Sequence, residues 1–161
     1  MGRYKFVFLY LQNNDMAELQ TITSPIEKEL SKCVELYDKV LGHEDDLLGT
    51  ILEHVRSRKG KMMRPILVLL SAKEFSPVNE ITYNVALALE LFHNASLLHD
   101  DVVDESDERR GMKSVNAKFG NKLAVLVGDY LLSMALKQSV ETGRMPIVNR
   151  ISELGILLSE G

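Results

Sequence analysis

Between residues 100 and 110 the sequence gathers charge of both signs: Asp100, Asp101 and Asp104 stand within five residues, and Arg109 and Arg110 precede Gly111. Opposite clusters this close imply that a third species sits between them. A divalent cation on the carboxylates and a phosphate on the arginines is the simplest occupant. At 100° per residue of helix, Asp100 and Asp104 share a face one turn apart, while Asp101 is rotated from them by about 100°. Magnesium takes oxygen ligands, keeps several waters, and typically uses one or two carboxylates together with substrate phosphates. The plain alternative is a solvated acidic helix end. A helix C-terminus is already negative, however, and carboxylates placed there cost stability unless a cation compensates. The three aspartates form the candidate catalytic cluster, with Asp100 and Asp104 as its metal ligands.

Arg109 and Arg110 have two readings. They either pair locally with Asp104, Glu105, Asp107 or Glu108, which in exposed positions contributes little, or they offer guanidinium forks to phosphate oxygens. Beside a metal clamp the second reading is favoured. His93 lies on the Asp100 face upstream, either as a satisfied core histidine or as a donor to an anionic group. His99 is read as structural. Lys59, Lys61 and Arg64 surround Gly60 at a turn entering a helix. That turn is either a solvated connector or an anion site made of backbone N–H groups and cations.

The elements that must carry these residues read as helices throughout. Ser24, Pro25 and Glu27 look like a helix start with a capping box, and Gly42 like its C-cap. A second helix is expected from about Asp45 to Ser57, and a third, apolar all round, from Pro65 to near Phe75. A long helix over about 79–104 holds His93 and the aspartates. A polar loop follows over 105–111, then a short helix over 114–119, an apolar helix over 122–140, and a last one from Pro146. No alternating strand pattern occurs, so the fold class is all-α.

At 161 residues the chain is one ordinary domain, large enough to bury a core. Its net charge of -4 argues against nucleic-acid binding. Cys33 is the only cysteine, which leaves neither a disulfide nor a thiolate metal site within one chain and makes a reducing, cytoplasmic setting the default. The apolar run over residues 6–11 is too short to span a bilayer, and no stable membrane insertion is expected. Residues 1–23 are read as a poorly ordered or loosely docked extension, and 24–161 as the domain.

The stretch LLHDDVVDESDERRG followed by AVLVGDYLL resembles the first half of the trans-isoprenyl diphosphate synthases, the polyprenyl synthetase family. The resemblance runs from about Ser24 to the last residue. It implies an antiparallel helix bundle of the isoprenoid synthase type around a central cavity, with the C-terminal half of that fold missing. It also implies an activity: Mg²⁺-dependent head-to-tail condensation of isopentenyl diphosphate with an allylic diphosphate to give a polyprenyl diphosphate. Carried over by motif, Asp100 and Asp104 bind the magnesium that holds the allylic diphosphate, and Arg109 contacts that diphosphate. Lys61, Arg64, His93 and Arg110 hold isopentenyl diphosphate. Ala95 and Ser96, one turn before Asp100, are small where bulky residues close the family's tunnel, which implies a long product. Assembly through helices, as a homodimer or heteromer, is expected.

Two features depart from the family pattern. Its basic motif, Gly-Gly-Lys-Arg-x-Arg-Pro, reads here with Lys59 for the first glycine and Met62 for the first arginine. No second aspartate-rich cluster follows Asp104, so the expectation is an N-terminal piece of a synthase that is not competent alone. Two other readings compete. A non-catalytic or heteromeric subunit would act by helix association. A metal phosphohydrolase of the His-Asp type would claim His99 and Asp100, but leaves Arg109 and Arg110 unexplained.

Overall fold

Proline sets the first irregularity in the backbone. In the computed structural model residues 16–44, 46–58 and 60–160 are described, the first three of them by backbone alone. Helix α1 (Met16–Thr23) runs into a single 3-10 turn (Ser24–Ile26) and then α2 (Glu27–Val40). The expected capping box does not form: Ser24 Oγ donates back to the Thr21 carbonyl at 3.0 Å, and no side chain caps either start. Pro25 lacks an N–H and so interrupts an existing helix. Residues 16–23 of the expected loose extension are helical, and Leu19 packs against the core. The apolar run over 6–11, Asp45, Lys59 and Gly161 lie outside the described residues.

Helix α3 (Leu47–Ser57) starts at Asp46, whose carboxylate accepts from the Gly49 N–H at 2.7 Å. Helix α4 (Met63–Phe75) is entered through Met62, which adopts a left-handed conformation at φ 52°. The long helix α5 (Glu80–Val103) has a capping box that the sequence reading missed, Asn79 with Thr82. Gly42 is not a left-handed C-cap. Leu41 ends α2, and Gly42 is absent from the positive-φ residues.

The expected loop over 105–111 contains a small antiparallel hairpin. Strand β1 (Glu108–Arg109) pairs with β2 (Met112–Lys113), and Arg110 and Gly111 between them both have positive φ, 56° and 74°. A two-residue turn of this hand matches the twist of the flanking strands. Strands of two residues are too short to leave an alternating pattern, which is why none was read. Helix α6 (Val115–Phe119), capped by Ser114, α7 (Asn121–Glu141) and α8 (Met145–Glu160) complete the described chain.

Helices α5 and α7 form the central pair, with α4 against α5 and α8 beside α7. They run antiparallel: His99 near the end of α5 meets Val125 near the start of α7, while Phe92 shares a cleft with Leu136 further on. Their seam is built from Ala88, Leu91, Ala95 and Leu98 on one side and Ala124, Val127, Leu131 and Ala135 on the other, all buried. Alternating small and large side chains let the two helices interdigitate closely. Cys33 and Tyr37 of α2 close the other flank of α5. Helix α7 is the one described helix long and apolar enough to cross a bilayer, and it uses its buried face to pack on α5.

Candidate active site

Helix geometry distributes the charged residues of α5 around its circumference. Taking Phe92 as the origin and 100° per residue, Ser96 falls at about 40°, Asp100 at about 80°, His93 at about 100°, Asp104 at about 120° and Asp101 at about 180°. The side near Phe92 opens on an apolar cleft of about 670 Å³. Ala95, Ser96, His99 and Asp100 line it from α5, Leu132 and Leu136 from α7, and Ile151 and Gly155 from α8. Asp100 stands at the rim of this cleft and Asp104 ends the helix, both exposed. Neither carboxylate pairs with a side chain of the described residues. Two free carboxylates at a negative helix end suit a hard cation that takes its remaining ligands from water and phosphate. Among the described residues no three His, Cys, Asp or Glu side chains group into a cage of their own.

Asp101 turns the other way. It is 1% exposed, and Oδ1 accepts from Arg109 Nε at 2.6 Å. The bond occupies one edge of the guanidinium and leaves its terminal nitrogens available to an anion. Asp101 also holds the following segment through its carbonyl, which accepts from the Ser106 N–H at 2.9 Å and from Asn116 Nδ2 at 3.1 Å. Asp101 therefore orients Arg109 and the hairpin instead of adding a third carboxylate to the clamp.

Arg64, Arg110 and Arg109 lie near enough to His93 for their charges to act on it. Burial, followed by the charges of Arg64, Arg110 and Arg109, pushes the His93 imidazole down to about 4. A neutral ring beside several arginines suits a hydrogen-bond donor or acceptor better than a further cation. Arg110 is exposed, with Nη1 donating to the Arg58 carbonyl at 2.7 Å. Its guanidinium rests on Gly60, where a Cβ would lie 2.5 Å from Nη1. Lys61 and Arg64 are exposed on the same connector and the first turn of α4.

Several functional neighbours escaped the sequence reading. Glu90 is 3% exposed, and its Oε2 has no hydrogen-bond partner among the described residues. Burial raises its pKa, while Arg64 and Arg110 oppose the shift. Asn94 donates to the Tyr37 hydroxyl at 3.0 Å and to the Glu90 carbonyl at 2.8 Å, tying α2 to this region. Arg58 caps the end of α3 and reaches the Arg109 carbonyl through Nη2 at 3.3 Å. The signal for Glu90 was a carboxylate inside an otherwise apolar helix stretch. For Arg58 there was none, since a basic connector looks the same whether solvated or folded back.

His99, read as structural, faces α7. Its Nε2 lies 3.3 Å from Asp129 Oδ1 and 3.4 Å from the Val125 carbonyl. An imidazole turned toward α7, with no cluster of three metal-binding side chains among the described residues, gives no support to the His-Asp phosphohydrolase reading.

Comparison with known proteins bears on the fold and the family. The polyprenyl synthetase family pattern matches residues 45–161. The chain is 36% identical over 149 residues to a prenyl transferase of Cyanophora paradoxa, covering 91% of this chain and 46% of that protein. It is 37% identical to heptaprenyl diphosphate synthase component 2 of Geobacillus stearothermophilus over 126 residues, 78% of this chain and 39% of that one. The crystal structure of a polyprenyl synthase from Caulobacter crescentus CB15, complexed with calcium and isoprenyl diphosphate, superimposes with a TM-score of 0.82 at 28% identity. That match covers 88% of this chain and 43% of the other. The chain thus spans about half the length of the curated relatives it matches. With the family pattern matched over residues 45–161 and an isoprenoid synthase fold shared with the solved structures, the chain belongs to the polyprenyl synthetase family.

Proposed function

We propose that this chain carries the first diphosphate clamp of a prenyltransferase that joins isopentenyl diphosphate to an allylic diphosphate. The observation that carries this reading is the order of groups around α5: an apolar cleft, then a polar edge where His93 lies in angle between the free carboxylates of Asp100 and Asp104, with Arg64, Arg110 and Arg109 near that ring. An allylic diphosphate has the same order, with a hydrocarbon tail attached to a polyanion.

In this reading Asp100 and Asp104 hold Mg²⁺, whose chemistry is to neutralise charge on the departing diphosphate. Arg109, oriented by Asp101, donates its terminal nitrogens to the allylic diphosphate. Lys61, Arg64, His93 and Arg110 receive the diphosphate of isopentenyl diphosphate. Preorganised donors of this kind stabilise the charge that develops as the allylic carbon–oxygen bond breaks. The apolar cleft takes the tail and keeps water from the resulting cation. The isopentenyl double bond then attacks that cation, and a proton is lost to complete the product. Ala95, 2% exposed, and Ser96 leave the cleft open beneath the clamp, which supports a long polyprenyl product.

The chain spans about half the length of its relatives, and condensation is expected to need a complementary helical half. Exposed apolar residues on α7 and α8, including Leu126, Val140, Ile156 and Leu157, supply a surface for it. A cytoplasmic setting fits the single buried thiol. The test has two parts. Calorimetry should show Mg²⁺-dependent binding of inorganic diphosphate to the chain, and this binding should be lost in an Asp100→Ala, Asp104→Ala double variant. Incubation of the chain alone with both substrates should give no elongation. Diphosphate binding that ignores Mg²⁺ and survives the double variant would overturn the assignment.

A further inference from the structure

The proposed diphosphate-binding arginines stand on a hairpin only two residues per strand, and something must hold it. Arg58, at the end of α3, reaches across to it twice. Its Nη2 donates to the Arg109 carbonyl at 3.3 Å, while its own carbonyl accepts from Arg110 Nη1 at 2.7 Å. The two bonds cross, so that each element is gripped by a side chain of the other. Gly60 is open enough for the Arg110 guanidinium to lie against its backbone, where a Cβ would collide.

Behind this crossing is a cavity of about 30 Å³ lined by Arg58, Asn94, Asp101, Arg109 and Arg110, among others. Two of these residues bring buried polar atoms with no partner among the described residues, Arg58 Nε and Asp101 Oδ2. One is a donor and the other an acceptor.

We propose that Arg58 is the positioning residue of the arginine hairpin: together with Asp101 it fixes Arg109 and Arg110 from behind. Arg58 does not itself touch the diphosphate, because its fork is turned to the Arg109 carbonyl and its Nε is buried. Asp101 and Arg58 thus act as a pair, the first holding the Arg109 side chain and the second its backbone. The proposal rests on the reading of Arg109 and Arg110 as anion donors.

Arg58→Met, which keeps the aliphatic stem, tests this in the 161-residue chain. Hydrogen exchange of the backbone over 105–114 should quicken relative to the parent chain while α7 is unchanged. The affinity for inorganic diphosphate with Mg²⁺ should weaken about tenfold, the worth of one charge-assisted hydrogen bond. Arg58→Lys keeps the charge but not the fork, and should quicken exchange over the same segment; it serves as the test should the methionine variant fail to fold. Unchanged exchange over 105–114 overturns the proposal, and so does quickened exchange with unchanged affinity. If the parent chain binds no diphosphate, the functional reading fails instead. The exchange comparison still decides whether Arg58 holds the hairpin.

Discussion

The imidazole of His99 fills the space that a side chain at position 128 would need. A Cβ on Gly128 would run into the His99 ring, which is also held by Asp129 and the Val125 carbonyl. Both helices can approach at the motif end only because this position is bare. Gly128→Ala should therefore destabilise the fold by about 1–3 kcal/mol, the usual range for overpacking a close-packed seam. Denaturant titration measures this. The double variant Gly128→Ala, His99→Ala should recover most of the loss; if it recovers none, the cause lies elsewhere on α7.

Asp104 ends α5 with its carboxylate unpaired at the negative end of the helix. Asp104→Asn is expected to stabilise the metal-free chain slightly, by about 0.3–1 kcal/mol at low salt. The same substitution should weaken Mg²⁺-dependent diphosphate binding at least about tenfold, since losing even a supporting residue of a metal site costs that much. Thermal melts in chelator and calorimetry in Mg²⁺ report the two effects. A variant that loses stability and keeps affinity would show that Asp104 is a structural cap and nothing more.

His93 makes stability depend on pH. Its pKa falls from an ordinary 6.5 to about 4 in the folded chain. Between those values the unfolded chain holds more protons than the folded one, so unfolding free energy drops as pH falls through that window. Glu90 works in the opposite direction, because its raised pKa keeps a proton on the folded chain as pH rises past 4.5. Comparing the chain with His93→Gln separates the two. The parent should lose more stability than the variant between about pH 6.5 and pH 4. Parallel curves would mean that burial and the neighbouring arginines do not hold the ring neutral.

Ala95 faces the cleft where α5 passes α7 and α8. Ala95→Phe should obstruct the cleft beneath Asp100, and the chain should bind a short allylic diphosphate better than a long one. In a complemented enzyme the product should shorten. Equal affinity for short and long tails would remove the cleft from the account of chain length.

The helices and the placement of Asp100 and Asp104 one turn apart were legible in the sequence because each leaves a periodic trace. Residues Leu87, Leu91, Ala95 and Leu98 repeat at helical spacing, and Asp100 and Asp104 continue one edge of the same helix. What was not legible depends on tertiary closure. The hairpin at Glu108 and Met112 has no period to read, and the turn of Asp101 away from its neighbours followed from rotation but not its partner. Ser24 failed as a cap because nothing local reveals that a helix already precedes it. Arg58 and Gly60 acquire meaning only when α3 is laid against a segment about fifty residues away.

Cys33 offers a practical handle. It is the chain's one thiol, fully enclosed on α2, and burial together with the charge of Glu90 pushes its pKa up to about 12. A thiol-reactive dye at neutral pH has nothing to attack until that helix lifts away. Labelling kinetics on the untouched chain would thus time the opening of the wall behind Glu90 and Asn94, with no engineered probe.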